Sequence, residues 1–265
     1  NEIRYASLLH DFGKVGVREP VLVKAEKLYP FELELLRSRF EFAKSRIESE
    51  GYKRALDRLV KHGGDAAVVL AEEAEKQAAA YKELDEIFAF ILACNRPTVL
   101  ATGGFERLAE IGARTFTDLE GRPRPYLTAQ EVAALSIPKG SLSEHERREI
   151  ESHVTWTFKF LSQIPWTQTL KGVPDIAYAH HEKLDGRGYP RALKESDIPV
   201  QSRMMAISDI YDALTASDRP YKKAVPHDLA LDILKRESES GQLDRELFTI
   251  FVEARVPERA LGSKR

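Results

Sequence analysis

The chain has a single cysteine, Cys94, among its 265 residues. No internal disulfide can form, and a lone thiol fits a reducing compartment, so the expected location is the cytoplasm. The apolar stretch Ile87-Phe88-Ala89-Phe90-Ile91-Leu92-Ala93-Cys94 is too short to cross a bilayer, which takes about 20 residues, and should instead be buried. An excess of one charge is missing too. The 40 Lys and Arg nearly balance the 42 Asp and Glu, for a formal net charge of −2. This argues against DNA or other general nucleic-acid binding and confines any pull on an anion to a local patch of Lys14, Arg187, Arg219, Lys222 and Lys223. No Gly-x-Gly-x-x-Gly or P-loop pattern offers a phosphate cradle, and Gly103-Gly104 alone is a weak turn signal. No signal or transit segment is visible and the chain opens on Asn1, so the expectation is a fragment whose amino-terminal part is absent. What is left, 43% hydrophobic, can bury a substantial core as one large domain or two small ones.

What is present is a set of nitrogen and oxygen metal donors. His10-Asp11 ends the segment Leu8-Leu9-His10-Asp11-Phe12-Gly13-Lys14, and His180-His181 and Asp209 follow far along the chain. Imidazole suits borderline transition metals, and a carboxylate can bridge two ions at the ~3.5–4 Å separation of two-metal hydrolases. Taken singly, a histidine is more often a core or surface residue than a ligand. His62 beside Gly63-Gly64 reads as a loop residue, His145 follows the helix-starting Ser143, and His227 follows Pro226 at another helix start. His10, His153, His180 and His181 instead lie in or against apolar helical segments, where an unpaired polar group is costly. Asp209 sits in the largely apolar run Met204 to Leu214 and is unwelcome there without a cation or donor. Asp212, one turn on, reads better as a cap or a salt bridge to Arg219 or Arg203. Lys14, one helical turn after His10, shares its face by the i,i+4 spacing.

Four blocks carry a family resemblance: His10-Asp11-Phe12-Gly13-Lys14, then His180-His181-Glu182-Lys183-Leu184-Asp185-Gly186-Arg187-Gly188-Tyr189-Pro190, then Asp209-Ile210-Tyr211-Asp212-Ala213-Leu214, and Asp218-Arg219-Pro220-Tyr221-Lys222-Lys223. Over residues 1–30 and 143–255 the chain resembles the HD-GYP phosphodiesterases of the HD superfamily. The resemblance implies an all-α helical domain that hydrolyses cyclic di-GMP, or a related cyclic dinucleotide, to the linear dinucleotide and on to GMP. It implies His10, Asp11, His153, His180, His181 and Asp209 as metal ligands, with Asp11 as the bridge and Lys14 beside the scissile phosphate. Arg187, Tyr189, Arg219 and Lys222 become substrate contacts. The cofactors implied are two divalent transition metals, or three, with iron or manganese favoured over a closed zinc site. Such ions lower the pKa of a shared water for in-line attack on phosphorus. The family usually adds a further His, and sometimes a Glu, from an upstream helix. Only Asn1 to Leu9 precede His10 here, so an incomplete ligand set is expected, with Glu2 the one oxygen donor able to stand in.

The chain also departs from the family pattern. After Tyr189-Pro190 it runs Arg191-Ala192-Leu193-Lys194-Glu195, without the usual glycines. Residues 31–142 read as a long, mainly helical insertion, setting apart a catalytic domain of residues 1–30 and 143–265. Within the insertion Phe31 to Glu50 is amphipathic, and Ala67, Leu70, Ala74, Tyr81, Leu84, Phe88 and Ile91 fall near a heptad repeat, which fits a homodimer seam or, better, the core of a helical hairpin. Thr115 to Leu127 reads as a small β-hairpin turning near Glu120-Gly121. The preferred function is a metal-dependent phosphodiesterase. Its rival is a module that senses cyclic dinucleotide or couples to a partner with little turnover. An upstream sensory domain absent from this chain is a further expected partner.

Overall fold

The computed structural model describes residues 1–216 and 224–262. In chain order the elements are α1 (Glu2–Leu9), a 3₁₀ turn (Phe12–Gly16), α2 (Glu19–Leu22), α3 (Pro30–His62), α4 (Ala66–Asn95), α5 (Gly104–Ala113), β1 (Thr115–Thr117), β2 (Pro123–Pro125), α6 (Ala129–Leu135), α7 (Glu144–Leu161), α8 (Val173–Tyr178), α9 (Val200–Thr215), α10 (His227–Glu239), α11 (Arg245–Glu253) and α12 (Val256–Gly262). Among the described residues the regular structure is thus helical apart from one small hairpin. It divides into two compact units, Asn1–Val23 with Glu144–Arg265, and Lys24–Ser143.

In the unit of residues 24–143, α3 starts where Pro30 supplies a pre-set φ and Glu32 reaches back to the Tyr29 amide at 2.8 Å. It stops at Gly63, whose φ of 68° a side chain would resist. Asp65 then caps α4 by accepting from the Ala67 amide at 2.8 Å. Leu36, Phe40 and Ala43 of α3 pack with Leu84, Ile87, Ile91 and Cys94 of α4, and Leu108, Ile111, Tyr126, Leu127 and Leu135 close the core. The β1–β2 pair places Thr117 opposite Pro123, and the Asp118 carboxylate holds the turn by accepting from the Glu120 and Arg122 amides, with Gly121 at φ 80°. The heptad stripe expected in α4 needs correcting in its first half. The buried positions there are Val69 and Glu73, while Ala67, Leu70 and Ala74 face outward. Glu73 is drawn inward because Arg54 of α3 and Lys76 meet its two oxygens.

In the other unit, α7 is the central element. Ala6 of α1, Leu161 of α7, Val173, Ile176 and Ala177 of α8 and Met205 of α9 form one core cluster, and Ala206, Ile207, Leu234, Leu243, Phe248 and Phe251 form another beneath α9. The α1 helix ends at Leu9, and the following residues tighten into the 3₁₀ turn instead of continuing as α-helix. Gly13 lets this turn press directly on α7. A Cβ there would stand 2.0 Å from the His153 carbonyl oxygen and 2.7 Å from the Thr157 amide. The buried Thr157 hydroxyl accepts from the Gly13 N–H at 2.8 Å and donates to the His10 carbonyl at 2.9 Å, stitching the two elements together.

Candidate metal centre

Four elements deliver donors to one place. His10 and Asp11 come from the end of α1, His153 from the middle of α7, His180 and His181 from the turn after α8, and Asp209 from α9. One oxygen of Asp11 lies 3.4 Å from His10 Nε2 and the other lies 3.3 Å from His153 Nε2, so this carboxylate faces two imidazoles at once. Asp209 Oδ1 is 3.6 Å from His10 Nε2. Ring centroids of His180 and His181 are 4.0 Å apart, with His153 at 5.3 Å from His181 and His10 at 4.8 Å from His180. Ligand atoms of His153, His180 and His181, and of His10, Asp11 and His180, each lie within 4.8 Å of one another.

The fit to metal ions rests on what these atoms lack. His10 Nε2, Asp11 Oδ1, His153 Nε2 and His180 Nε2 are buried side-chain atoms with no hydrogen-bond partner. Leaving a buried polar group unsatisfied costs roughly 1–3 kcal/mol, and four such nitrogen and oxygen atoms on neighbouring residues are the donor chemistry a cation would satisfy. The opposite ring nitrogens are all occupied. His10 Nδ1 is 2.8 Å from the Ser7 carbonyl, His153 Nδ1 2.6 Å from Ile150 O and His180 Nδ1 2.6 Å from Ala177 O. Each carbonyl fixes the proton on Nδ1 and leaves the Nε2 lone pair aimed inward, the outer-shell arrangement common to metal-bound histidine.

Burial pushes His180 down to about 4 and His181 down to about 3, so both are neutral ligands near neutral pH. Burial alone raises a carboxyl, yet the approach of His153 and the Lys14 ammonium hold Asp11 well below the usual carboxylate range. For His10 burial lowers the pKa, but facing Asp209 and Asp11 leaves it raised. Asp209 is lowered against its own burial by His10 and the two neighbouring imidazoles.

The other expected site residues are placed as follows. Lys14 Nζ donates to Asp11 Oδ2 at 2.6 Å, and because Lys14 sits in the 3₁₀ turn the α-helical continuation expected to set it on the face of His10 is not formed. Arg187 is largely exposed and paired with Asp185, whose Oδ1 also accepts from the Arg187 amide at 2.9 Å. The Tyr189 ring is stacked on His181, with centroids 4.8 Å apart. Arg219 and Lys222 lie outside the described residues. Arg203 pairs with Asp244 at 3.2 Å and lies 3.6 Å from Glu195, so the pairing of Asp212 with Arg203 expected from sequence is not formed. Asp212 instead lines a cavity of about 270 Å³ with Ile3, Ser7, His10, Met204, Met205, Ser208 and Asp209. Glu2 is not a free donor, since its Oε1 accepts from the Gly172 amide at 2.8 Å. His62 and His145 are exposed, and His227 Nδ1 meets the Tyr211 hydroxyl at 2.7 Å. Two residues were missed by sequence reasoning. Thr157 could have been found from its place one turn after His153, on the same face. Glu182, buried beside the paired histidines, had only its adjacency as a signal.

Residues 128–247 match the HD domain family. Over 115 residues the chain is 38% identical to a 3'3'-cGAMP-specific phosphodiesterase 3 of Vibrio cholerae serotype O1, covering 43% of this chain and 24% of that protein. It is 39% identical over 119 residues to a cyclic di-GMP phosphodiesterase of Thermotoga maritima, covering 43% and 31%. It is also 37% identical over 98 residues to the cyclic di-GMP phosphodiesterase response regulator of Xanthomonas campestris pv. campestris, covering 37% and 25%. The chain therefore spans between about a quarter and a third of the length of these relatives. The HD domain family, matched over residues 128–247, and these cyclic dinucleotide phosphodiesterases are what the chain is similar to, and the His-Asp and Gly-Tyr-Pro blocks agree with that similarity.

Proposed function

We propose that this chain is a metal-dependent phosphodiesterase that opens a cyclic dinucleotide, cyclic di-GMP or 3'3'-cGAMP, to its linear form and on to the mononucleotide. The observation that carries the reading is the convergence of four orphaned buried donor atoms beside a paired lysine. His10, Asp11, His153, His180, His181 and Asp209 would hold the ions, iron or manganese by the chemistry of an imidazole and carboxylate set. When bound, two divalent ions activate a water and neutralise charge on the phosphate.

The protein's own part is to present and to position. Neutral His180 and His181 offer lone pairs without first losing a proton. Asp11, ionised and facing imidazoles with both oxygens, is suited to bridge. Lys14 is 40% exposed at its side chain, and from its seat on Asp11 it can reach a phosphate and offset charge growing on the non-bridging oxygens. Arg187, Arg219 and Lys222 remain the candidate cationic contacts for phosphate or a guanine edge. A homodimer through α3 and α4, an upstream sensory domain and a cytoplasmic location belong to the same reading.

Incubating manganese- or iron-reconstituted protein with cyclic di-GMP and, separately, 3'3'-cGAMP, then resolving the products, tests it. Linear dinucleotide from either substrate is expected. Stoichiometric metal with tight, unhydrolysed cyclic dinucleotide would replace the enzyme with a binding module.

A further inference from the structure

Among the described residues, three of the four clustered histidines have Nδ1 tied to the carbonyl three residues earlier, whereas His181 has no such hydrogen bond. Something else must set the angle of its ring. The aromatic ring of Tyr189 lies against it, with centroids 4.8 Å apart and planes inclined by 27°. This is the offset-stacked geometry that aromatic rings favour.

Tyr189 is itself fastened to the backbone around His181. Its amide donates to the His181 carbonyl at 3.2 Å. Gly188 lies so close to the preceding turn that a Cβ would stand 2.2 Å from the Lys183 amide nitrogen and 2.5 Å from Glu182 Cα. Beyond Pro190 the chain is anchored by Glu182, only 3% exposed, whose two carboxylate oxygens accept one amide each, from Arg191 at 2.8 Å and from Leu193 at 2.9 Å. Three attachments therefore fold residues 188–193 back over the histidine pair.

We infer that this strap is a positioning device: Glu182 and Gly188 fix the Tyr189 ring, and the ring orients His181 toward its ion in place of the missing carbonyl bond. Tyr189 is then a positioning residue that works through its aromatic face, and its hydroxyl is dispensable. The inference rests on the metal-centre reading for its purpose, but the stacking it describes exists without metal.

Two readouts separate these. In metal-free protein labelled at the histidine Cε1 carbon, the His181 ring proton carries a ring-current shift that Tyr189→Phe should keep and Tyr189→Leu should abolish. In manganese titrations, the Phe variant should bind within about twofold of the parent while the Leu variant loses roughly 10–100-fold, the usual consequence of loosening an outer-shell partner. Glu182→Gln, which keeps the shape but replaces one acceptor oxygen by a donor, should fall between them in both measurements. A parent chain that binds no manganese but shows the expected shifts would sink the metal reading and leave the positioning intact. A Leu variant with unchanged His181 resonance, or a Phe variant as impaired as Leu, would overturn the positioning role.

Discussion

Replacing Thr157 by Val is the sharpest test of how the donors are held together. Valine matches threonine in shape, so the packing of α7 is preserved and only the hydroxyl is lost. That hydroxyl takes the Gly13 N–H at 2.8 Å and gives its proton to the His10 carbonyl at 2.9 Å, from a residue with no exposed surface. Two backbone groups, the buried Gly13 N–H and the part-buried His10 carbonyl, then lose this partner, at up to about 1–3 kcal/mol each. The sum, about 2–6 kcal/mol at most, is a large share of the ~5–15 kcal/mol that keeps a typical domain folded. It corresponds to a fall of roughly 5–15 °C in Tm for a unit of this size. Thr157→Ser keeps the hydroxyl and loses one buried methyl, worth about 1 kcal/mol. The order parent, Ser, Val is therefore fixed by the structure. The same substitution should loosen the spacing between Asp11 and His153, now 3.3 Å, and weaken manganese binding by roughly 10–100-fold. Thermal unfolding by circular dichroism and calorimetric titration with manganese read the two effects. A Val variant that melts and binds like the parent, or a Ser variant that falls as far as Val, would refute the argument that the hydroxyl links the two elements.

Lys14→Ala should lower turnover by about 10²–10³-fold with metal content unchanged, because its ammonium acts on transition-state charge and not on the ions; elemental analysis beside initial rates checks this, and equal loss of metal would make Lys14 part of the binding set. In the unit of residues 24–143, burial would raise the Glu131 carboxyl, but the Arg39 guanidinium, at 2.7 Å, lowers it below its ordinary value. The folded state thus releases this proton more readily than the unfolded state, so the stabilisation is full above the unfolded value near 4.5 and is lost as pH falls through the depressed folded value. Tm should accordingly drop as pH falls below about 4.5, and Glu131→Gln should lower Tm at pH 7 while flattening that acid limb; an acid limb of unchanged slope in the variant would assign it to other carboxylates.

That His10, Asp11, His153, His180 and His181 would cluster was legible because a His-Asp pair and a His-His pair in apolar surroundings have few other uses. The hairpin at Gly121 and the helix starts after Ser143 and Pro226 were legible because turns and caps are local. What stayed hidden depends on a partner distant in sequence. In α4 the alanines suggested a face of Ala67, Leu70 and Ala74, but Val69 and Glu73 are buried, and the deciding residue is Arg54 on another helix. The 3₁₀ form of residues 12–16 was likewise unreadable, because it is set by the approach of Gly13 to α7.

The same distinction separates the roles within the site. A ligand is announced by its own chemistry, while a residue that aims a ligand is defined only by what it touches. On the positioning proposal, Thr157, Glu182 and the ring of Tyr189 belong to the second kind, each touching a candidate ligand or the segment beside one. His10, His153 and His180 needed no such help, since each is oriented by a carbonyl that helical geometry places three residues back. His181 immediately follows His180, and its ring has no corresponding bond to a carbonyl among the described residues. A paired histidine motif therefore orients one ring from within and the other from outside, which is a physical reason for a constrained aromatic loop to follow it in sequence. On that argument the glycine, the aromatic residue and the buried glutamate form one unit with the second histidine, and substitutions among them should couple energetically instead of adding.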